Sequence, residues 1–496
     1  MMSSTKRIGI LLMLLLSLPT PGESQILQKI SREQFENDCK ILRQSLEELH
    51  PGLYRYNDQQ SFDRSYMELV STLEDSISIK DAFLNISEFL ANIKCGHTYA
   101  NPYNQNESIA ESILRGNNKL PFTSTLMEND MIIEYDVSGE DLGKGSKVFE
   151  INGIPVEKII GDLLRYADGD GGNEGQRLNN LQVTGFGEYE FFDIYFPLLV
   201  PPVDGKYEIE YSDLRSRAGF LNAEVRAVSR DERKTRLQKE FGMGDESYDE
   251  QWKFEIIDKN SALLRIGTFV TYKMKLDWKK FLADAFEELN KQDIPNLIID
   301  IRGNAGGTTE VAAEIASYLT QKPVDFKMEK RLVSYVRVPD DLEQYLSTWD
   351  NSFKDRTGTV EKYNDRLYLL KDGSQSESVI IPKENGYRGE VYLLVDAANS
   401  SATFILAKIL KENGLANLVG QTTGGNQRGI NGGQIMFLDL PNSGIEIDIP
   451  LIGYFPDGEQ PDAGLEPDIK VEKNNKDIAV GKDTELEYVK QMIERK

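Results

Sequence analysis

The 496-residue sequence predicts an α/β protein. Two observations carry this. From Ala262 onward, short aliphatic runs alternate with amphipathic segments of helical period, the pattern of a sheet covered by helices. Within that region Leu297-Ile298-Ile299 leads directly into Asp300-Ile301-Arg302-Gly303-Asn304-Ala305-Gly306-Gly307, a buried strand feeding a Gly-rich turn.

Taken in order, residues 1–24 read as a signal peptide. Lys6 and Arg7 precede the apolar run Ile8–Leu18, Pro19 and Pro21 break it, and small residues follow at Gly22 and Ser24. The run is shorter than the ~20 apolar residues that span a bilayer, and no later stretch reaches that length. A secreted or periplasmic location is expected, with no membrane span.

Residues 25–110 read as an N-terminal helical domain. Ser31 and Gln34 form a capping-box pattern, and Phe35, Cys39, Leu42, Leu46 and Leu49 recur at helical spacing. His50-Pro51-Gly52 ends that helix, and His50 is expected to be structural. Further periodic segments run from Phe62 to Leu73 and from Ala82 to Ile93, ending at Gly96-His97-Thr98. Residues 111–215 read as mostly β, with Asn152-Gly153 as a hairpin turn. Residues 216–252 are charged and read as a linker. Residues 253–476 form the α/β core, with 325–385 expected to cover one of its faces. Residues 477–496 are a C-terminal helix or tail.

The chain holds 81 acidic and 57 basic residues, a formal charge of -24. That excess argues against nucleic acid and anionic membranes as partners. Two cysteines and two histidines are too few for a Cys/His zinc site, and no metal or cofactor is expected. Cys39 and Cys95 are free to pair or to stay buried as thiols.

Scarcity makes His97 informative. Downstream, Asn399-Ser400-Ser401-Ala402-Thr403-Phe404 is a small-residue turn opening an apolar helix. An imidazole, a Ser at a strand-to-helix turn and a Gly-rich turn with spare N–H groups are the parts of a serine hydrolase. Against this stand plain alternatives: Ser400 or Ser401 as a helix cap, His97 as a structural residue, and the glycines as an ordinary turn. A phosphate cradle is disfavoured, because Gly-x-Gly-x-x-Gly spacing and a following Lys are both missing.

Several motifs together resemble the S41 peptidases, the family of C-terminal processing and tail-specific proteases, tricorn core proteases and interphotoreceptor retinoid-binding modules. They are Gly96-His97-Thr98, the Asp300–Gly307 segment, Ser400-Ser401-Ala402 with Leu418-Val419-Gly420-Gln421-Thr422-Thr423-Gly424-Gly425, and Gly464-Leu465-Glu466-Pro467-Asp468-Ile469. Leu49-His50-Pro51-Gly52-Leu53-Tyr54 also resembles the N-terminal segment of extracytoplasmic members. The resemblance implies a crotonase/Clp-protease-like core and a PDZ-like module within 111–215. It implies Ser401 as nucleophile, with Ser400 as runner-up, and Ala402 with Gly306 or Gly307 as oxyanion donors.

Where tail-specific proteases carry a lysine base, this chain has Asn426, and an amide is no general base. The tricorn-like branch uses the His of the Gly-His-Thr-type motif instead, which here is His97. An imidazole's ordinary pKa of about 6.5 suits that work. Its acidic partner is expected in the loop Asp457–Asp462, as Glu459 or Asp462, with Glu459 preferred. The implied activity is a cofactor-free serine endopeptidase acting on polypeptide. The alternatives are a catalytically silent binding protein for a peptide or apolar ligand on the same scaffold and, more remotely, a crotonase-type acyl enzyme.

Overall fold

The computed structural model describes residues 29–71, 75–217, 219–326, 329–371 and 378–496. The signal-peptide assignment falls outside them. The helix Arg32–Leu49 begins at Ser31, whose Oγ accepts the Gln34 N–H at 3.2 Å while Gln34 Oε1 accepts the Ser31 N–H at 2.8 Å. This reciprocal pair satisfies two N–H groups that a helix start leaves open. Phe35, Cys39, Leu42, Leu46 and Leu49 are buried, and the helices Gln59–Ser71 and Ile79–Ala91 complete the N-terminal unit. Both cysteines are free and buried; burial pushes the Cys39 thiol up to about 12 and the Cys95 thiol to about 11.

The β-rich segment is one antiparallel sheet. Its strands run Phe122–Met127, Asp130–Asp136, Lys147–Ile151, Lys206–Ser212 and Leu221–Arg226, paired in that order. Asn152 and Gly153, with φ of 52° and 70°, make the tight turn that returns Ile154–Pro155 onto Lys147–Ile151. Both residues occupy the left-handed region such a turn requires.

The stretch 216–252, expected as a charged linker, is instead built into the fold. It supplies the last strand of this sheet, Leu221–Arg226, and the helix Arg230–Phe241. Its charges misled because one of them is internal. Arg233 is wholly buried, pairing with Glu190 at 2.8 Å and forming a close ion pair with Asp193, while Leu237 packs beside it.

The central sheet has six strands. In order they are Ile469–Lys470, Asn417–Gly420, Glu390–Val395, Asn296–Asp300, Ser261–Ile266 and Trp252–Asp258; only the last pairing is antiparallel. Leu297 and Ile299 face the helices Trp278–Lys291, Glu310–Leu319 and Ser401–Glu412. Ile298 faces the other way, onto Val489 and Ile493 of the C-terminal helix Thr484–Glu494. Alternation along the strand thus accounts for a run that is apolar at every position.

The 325–385 stretch does more than cover a face. It gives the strands Lys330–Val333, Leu346–Ser347, Val360–Lys362 and Tyr368–Leu370 to a second six-stranded sheet. The centre of that sheet is the long hairpin Asn431–Asp439 and Glu446–Phe455. Met436, Leu438, Ile447, Ile449 and Leu451 of the hairpin join the hydrophobic core of the N-terminal half, so the hairpin fastens the helical domain to the second sheet.

Candidate active site

Two turns at the ends of adjacent parallel strands build the centre of the site. The first, Ile301–Gly307, follows Asn296–Asp300. Arg302 holds it: Nη2 lies 2.7 Å from Asp300 Oδ2, and the same guanidinium reaches Asp483 at 2.7 Å and Glu485 at 3.1 Å. Asp300 and Arg302 therefore brace the turn against the C-terminal helix. The second turn, Asp396–Ser400, follows Glu390–Val395. Asn399 Nδ2 donates to the Asn304 carbonyl at 3.1 Å, Ser400 Oγ to the Ala305 carbonyl at 3.1 Å and Thr403 Oγ1 to the Asn304 carbonyl at 2.9 Å. The turns are stitched into one unit.

Ser401 starts the helix Ser401–Glu412 with φ of 50°, in the left-handed region. A non-glycine residue there is strained, and such strain concentrates at functional positions. Neither serine side chain caps the helix: Ser400 Oγ is committed to Ala305, and Ser401 Oγ has no hydrogen-bond partner among the described residues.

Gly306 lies against Ser401. A Cβ on Gly306 would sit 2.9 Å from Ser401 Cβ and 3.0 Å from the Ala402 nitrogen. The Gly306 N–H itself is occupied, donating to Asn304 Oδ1 at 2.9 Å. The N–H groups of Gly307 and Ala402 have no acceptor among the described residues. Gly307 has φ of 137°, and a Cβ there would meet the Phe269 carbonyl carbon and oxygen at 2.4 Å.

His97 arrives from the N-terminal domain. Its neighbour Thr98 is fixed by the buried His50, whose Nε2 lies 3.0 Å from Thr98 Oγ1. Burial, reinforced by Arg55 and Arg366, lowers the pKa of His50 to about 3, so its ring stays neutral as a structural prop. Beyond the motif, the chain is pinned to the hairpin: Asp448 N donates to the Tyr99 carbonyl at 3.1 Å and Asn101 Nδ2 to Asp448 Oδ2 at 2.9 Å. The His97 ring is half-buried. Its Nε2 edge lies 3.5 Å from the Cβ position of Gly432, and Nδ1 is buried with no partner. No hydrogen bond joins the ring to Ser401 Oγ.

Of the two expected acidic partners, Glu459 is exposed and makes no hydrogen bond or ion pair among the described residues. Asp462 is engaged: its Oδ1 accepts the Gly172 N–H at 2.8 Å and Asn426 Nδ2 at 2.8 Å. Asn426, expected by resemblance to stand in a lysine's place, is fully buried and also donates to the Asp170 carbonyl at 3.1 Å.

Those bonds reveal an element outside the sequence-predicted site. The turn Asp168-Gly169-Asp170-Gly171-Gly172-Asn173 wedges between the His97 motif and the core loops. Gly171 N donates to the Lys94 carbonyl at 3.0 Å, Asp170 Oδ1 accepts the Gly96 N–H at 3.0 Å, and Asn173 Nδ2 donates to the Gly425 carbonyl at 2.8 Å. Its density of Asp and Gly was the available signal.

A cavity of about 260 Å³ opens beside the centre. Its walls include Thr309, two residues past Gly307, and Phe404, one helical turn past Ser401, with Ile405, Ile430 and Tyr454. Among the described residues no group of three or more His, Cys, Asp or Glu side chains is arranged to hold a metal ion, and no helix is long and apolar enough to cross a membrane.

Residues 260–471 match the family model "Peptidase family S41". That span holds both stitched turns and Asn426, while His97 lies outside it. No curated protein matches the chain by sequence. Among solved structures, mature CPAF complexed with lactacystin superposes with a TM-score of 0.61 at 14% identity, covering 93% of this chain and 98% of that one. A second structure of mature CPAF gives a TM-score of 0.60 at 14% identity, covering 93% and 96%. These likenesses extend the shared fold across nearly the whole chain, N-terminal helices included. Residues 260–471 thus match peptidase family S41 by sequence, and the rest of the chain shares its fold with these solved structures.

Proposed function

We propose that this protein is a secreted or periplasmic serine endopeptidase that cleaves polypeptides with Ser401 as nucleophile and His97 as base. Ser401 Oγ attacks the scissile carbonyl carbon as its proton passes to His97 Nε2. The N–H groups of Gly307 and Ala402 stabilise the oxyanion, and a dipole at the start of the Ser401 helix adds to them. Collapse of the tetrahedral adduct breaks the C–N bond, and His97 returns the proton to the departing amine. Water then hydrolyses the acyl-enzyme by the same route.

One observation carries the reading. Ser401 holds a strained left-handed backbone at a helix start, beside two N–H groups without acceptors. A plain helix cap needs neither feature. Asn426 cannot act as a base, and its buried amide is spent on structural bonds, which favours the imidazole. The cavity beside Phe404 offers room for an apolar side chain next to the scissile bond.

A fluorophosphonate probe tests the reading. Stoichiometric labelling of intact protein, mapped to the Ser401 peptide by mass spectrometry and lost in Ser401→Ala, is expected. Correctly folded protein that stays unlabelled would instead favour a silent binding protein on this scaffold.

A further inference from the structure

The base needs a partner to hold its ring, and the structure sets a buried carboxylate against the motif that carries it. Asp170 is 1% exposed. Its Oδ1 accepts the Gly96 N–H at 3.0 Å. Its Oδ2 is buried with no hydrogen-bond partner among the described residues and lies 3.2 Å from the Cβ position of Gly96. On the next residue, His97 Nδ1 is likewise buried and unpartnered.

An acceptor and a potential donor, both buried and both idle, therefore flank one glycine. Unsatisfied buried polar atoms are rare and costly. Catalytic hydrogen bonds are often long in the free enzyme and tighten when substrate binds. The two expected acids serve less well, since Glu459 is exposed and unengaged and Asp462 already holds Gly172 and Asn426.

We propose that Asp170 is the positioning carboxylate of His97, with Oδ2 accepting the Nδ1–H in the working enzyme. That bond fixes the tautomer that leaves Nε2 free to take the serine proton. Like charge-assisted pairs elsewhere, it also stabilises the imidazolium formed during turnover. The inference rests on His97 being the base, as argued above. It assigns to the 168–173 turn a second task beyond joining the N-terminal domain to the core.

The charged and titratable groups around Asp170 come from several elements. Cys95 stands on the motif itself, Asp168 on the same turn, and Arg55 and Tyr56 on the turn after the first helix. Asp462 approaches from the core loop with Arg428 3.7 Å behind it. Burial keeps the Cys95 thiol protonated at neutral pH and raises Asp168 to about 7.

The test uses imidazole NMR, because the chain has only two histidines. Full-length ¹⁵N-labelled protein carrying Ser401→Ala is titrated with and without Asp170→Asn. Asparagine keeps an Oδ1 acceptor for the Gly96 N–H and replaces the charge and the Oδ2 acceptor with an NH2 donor. His50, buried and neutral, serves as the internal check of folding. The expected result is a His97 pKa lowered by about one unit in Asp170→Asn and restored by Asp170→Glu, with Glu459→Gln leaving it in place. In the parent, the neutral ring is expected as the Nδ1–H tautomer, a readout that needs no Asp170 variant to fold. A neutral ring protonated on Nε2, or a His97 pKa that moves with Glu459→Gln and not with Asp170→Asn, would overturn the proposal. Retention of activity by His97→Asn would overturn the base assignment itself, which is a separate outcome.

Discussion

Gly306 and Ser401 come from different strands, yet the space for a Gly306 side chain is taken by Ser401 Cβ, 2.9 Å away. The Ser401 backbone rests directly on the glycine turn, so the geometry of one fixes that of the other. Gly306→Ala would push Ser401 and the Ala402 N–H out of line. Its expected cost is about 10²–10³-fold in kcat, the scale of losing one oxyanion donor. Steady-state kinetics with a fluorogenic peptide checks this, and a loss under threefold would contradict it.

Asn426 leads to a second expectation. Its Nδ2 donates to Asp462 Oδ1 at 2.8 Å and to the Asp170 carbonyl at 3.1 Å. Asn426→Asp would set a carboxylate against both acceptors in a buried site. A loss of about 3 kcal/mol or more is expected, measured as a fall in the urea midpoint at pH 7. Asn426→Lys is not expected to rescue His97→Asn, because a fully buried loop position has no water to solvate an ammonium.

Arg233 provides a test of the fold away from the site. It is wholly buried between Glu190 and Asp193. Arg233→Met leaves two carboxylates facing each other, at an expected cost of about 3–5 kcal/mol. Denaturation of Arg233→Met against the parent measures it. A change within 0.5 kcal/mol, as roughly expected of a solvated linker residue, would show the 216–252 region to be dispensable.

Glu446 and Asp448 sit buried under the segment that follows His97, and burial raises them to about 8 and about 7. A carboxyl group with a raised folded-state pKa binds more protons folded than unfolded between its two pKa values. Stability therefore falls as pH rises from about 4.5 to about 8, across the interval set by Glu446. Glu446→Gln should remove that part of the fall, stabilising the protein at pH 8 relative to the parent and not at pH 5. His50 acts in the opposite sense. With its folded pKa lowered to about 3, its contribution is complete above the unfolded value and is lost as pH drops below about 6.5. Urea titrations of the parent and Glu446→Gln at both pH values decide the first claim; equal differences at pH 5 and pH 8 would refute it.

Much of this was legible in the sequence. Leu297-Ile298-Ile299 declares a strand buried on both faces, and helices cover both sides of it. Trp278, Phe281, Leu282, Ala285 and Leu289 declare the helix that packs there. Asn152-Gly153 declares its turn. The rest was hidden for physical reasons. Strand pairing at long range has no local signature, so the sheet joining Lys330–Val333 to the hairpin Glu446–Phe455 could not be read from either segment. Arg233 reads as surface charge until its two carboxylates, some forty residues earlier, are brought to it. Asp170 lies 73 residues from His97 in sequence, and only folding sets it beside Gly96. Of the two glycines expected as oxyanion donors, only the folded turn distinguishes the occupied N–H of Gly306 from the open one of Gly307.

The central claim is that Ser401 and His97 act as one catalytic unit. The most direct measurement compares kcat for Ser401→Ala, His97→Asn and the double variant on one peptide substrate. Residues that work as a unit are not additive, so each single change and the double change should lower kcat by the same factor, about 10³-fold or more. A His97→Asn enzyme within tenfold of the parent, or a double variant far worse than either single one, would contradict the account.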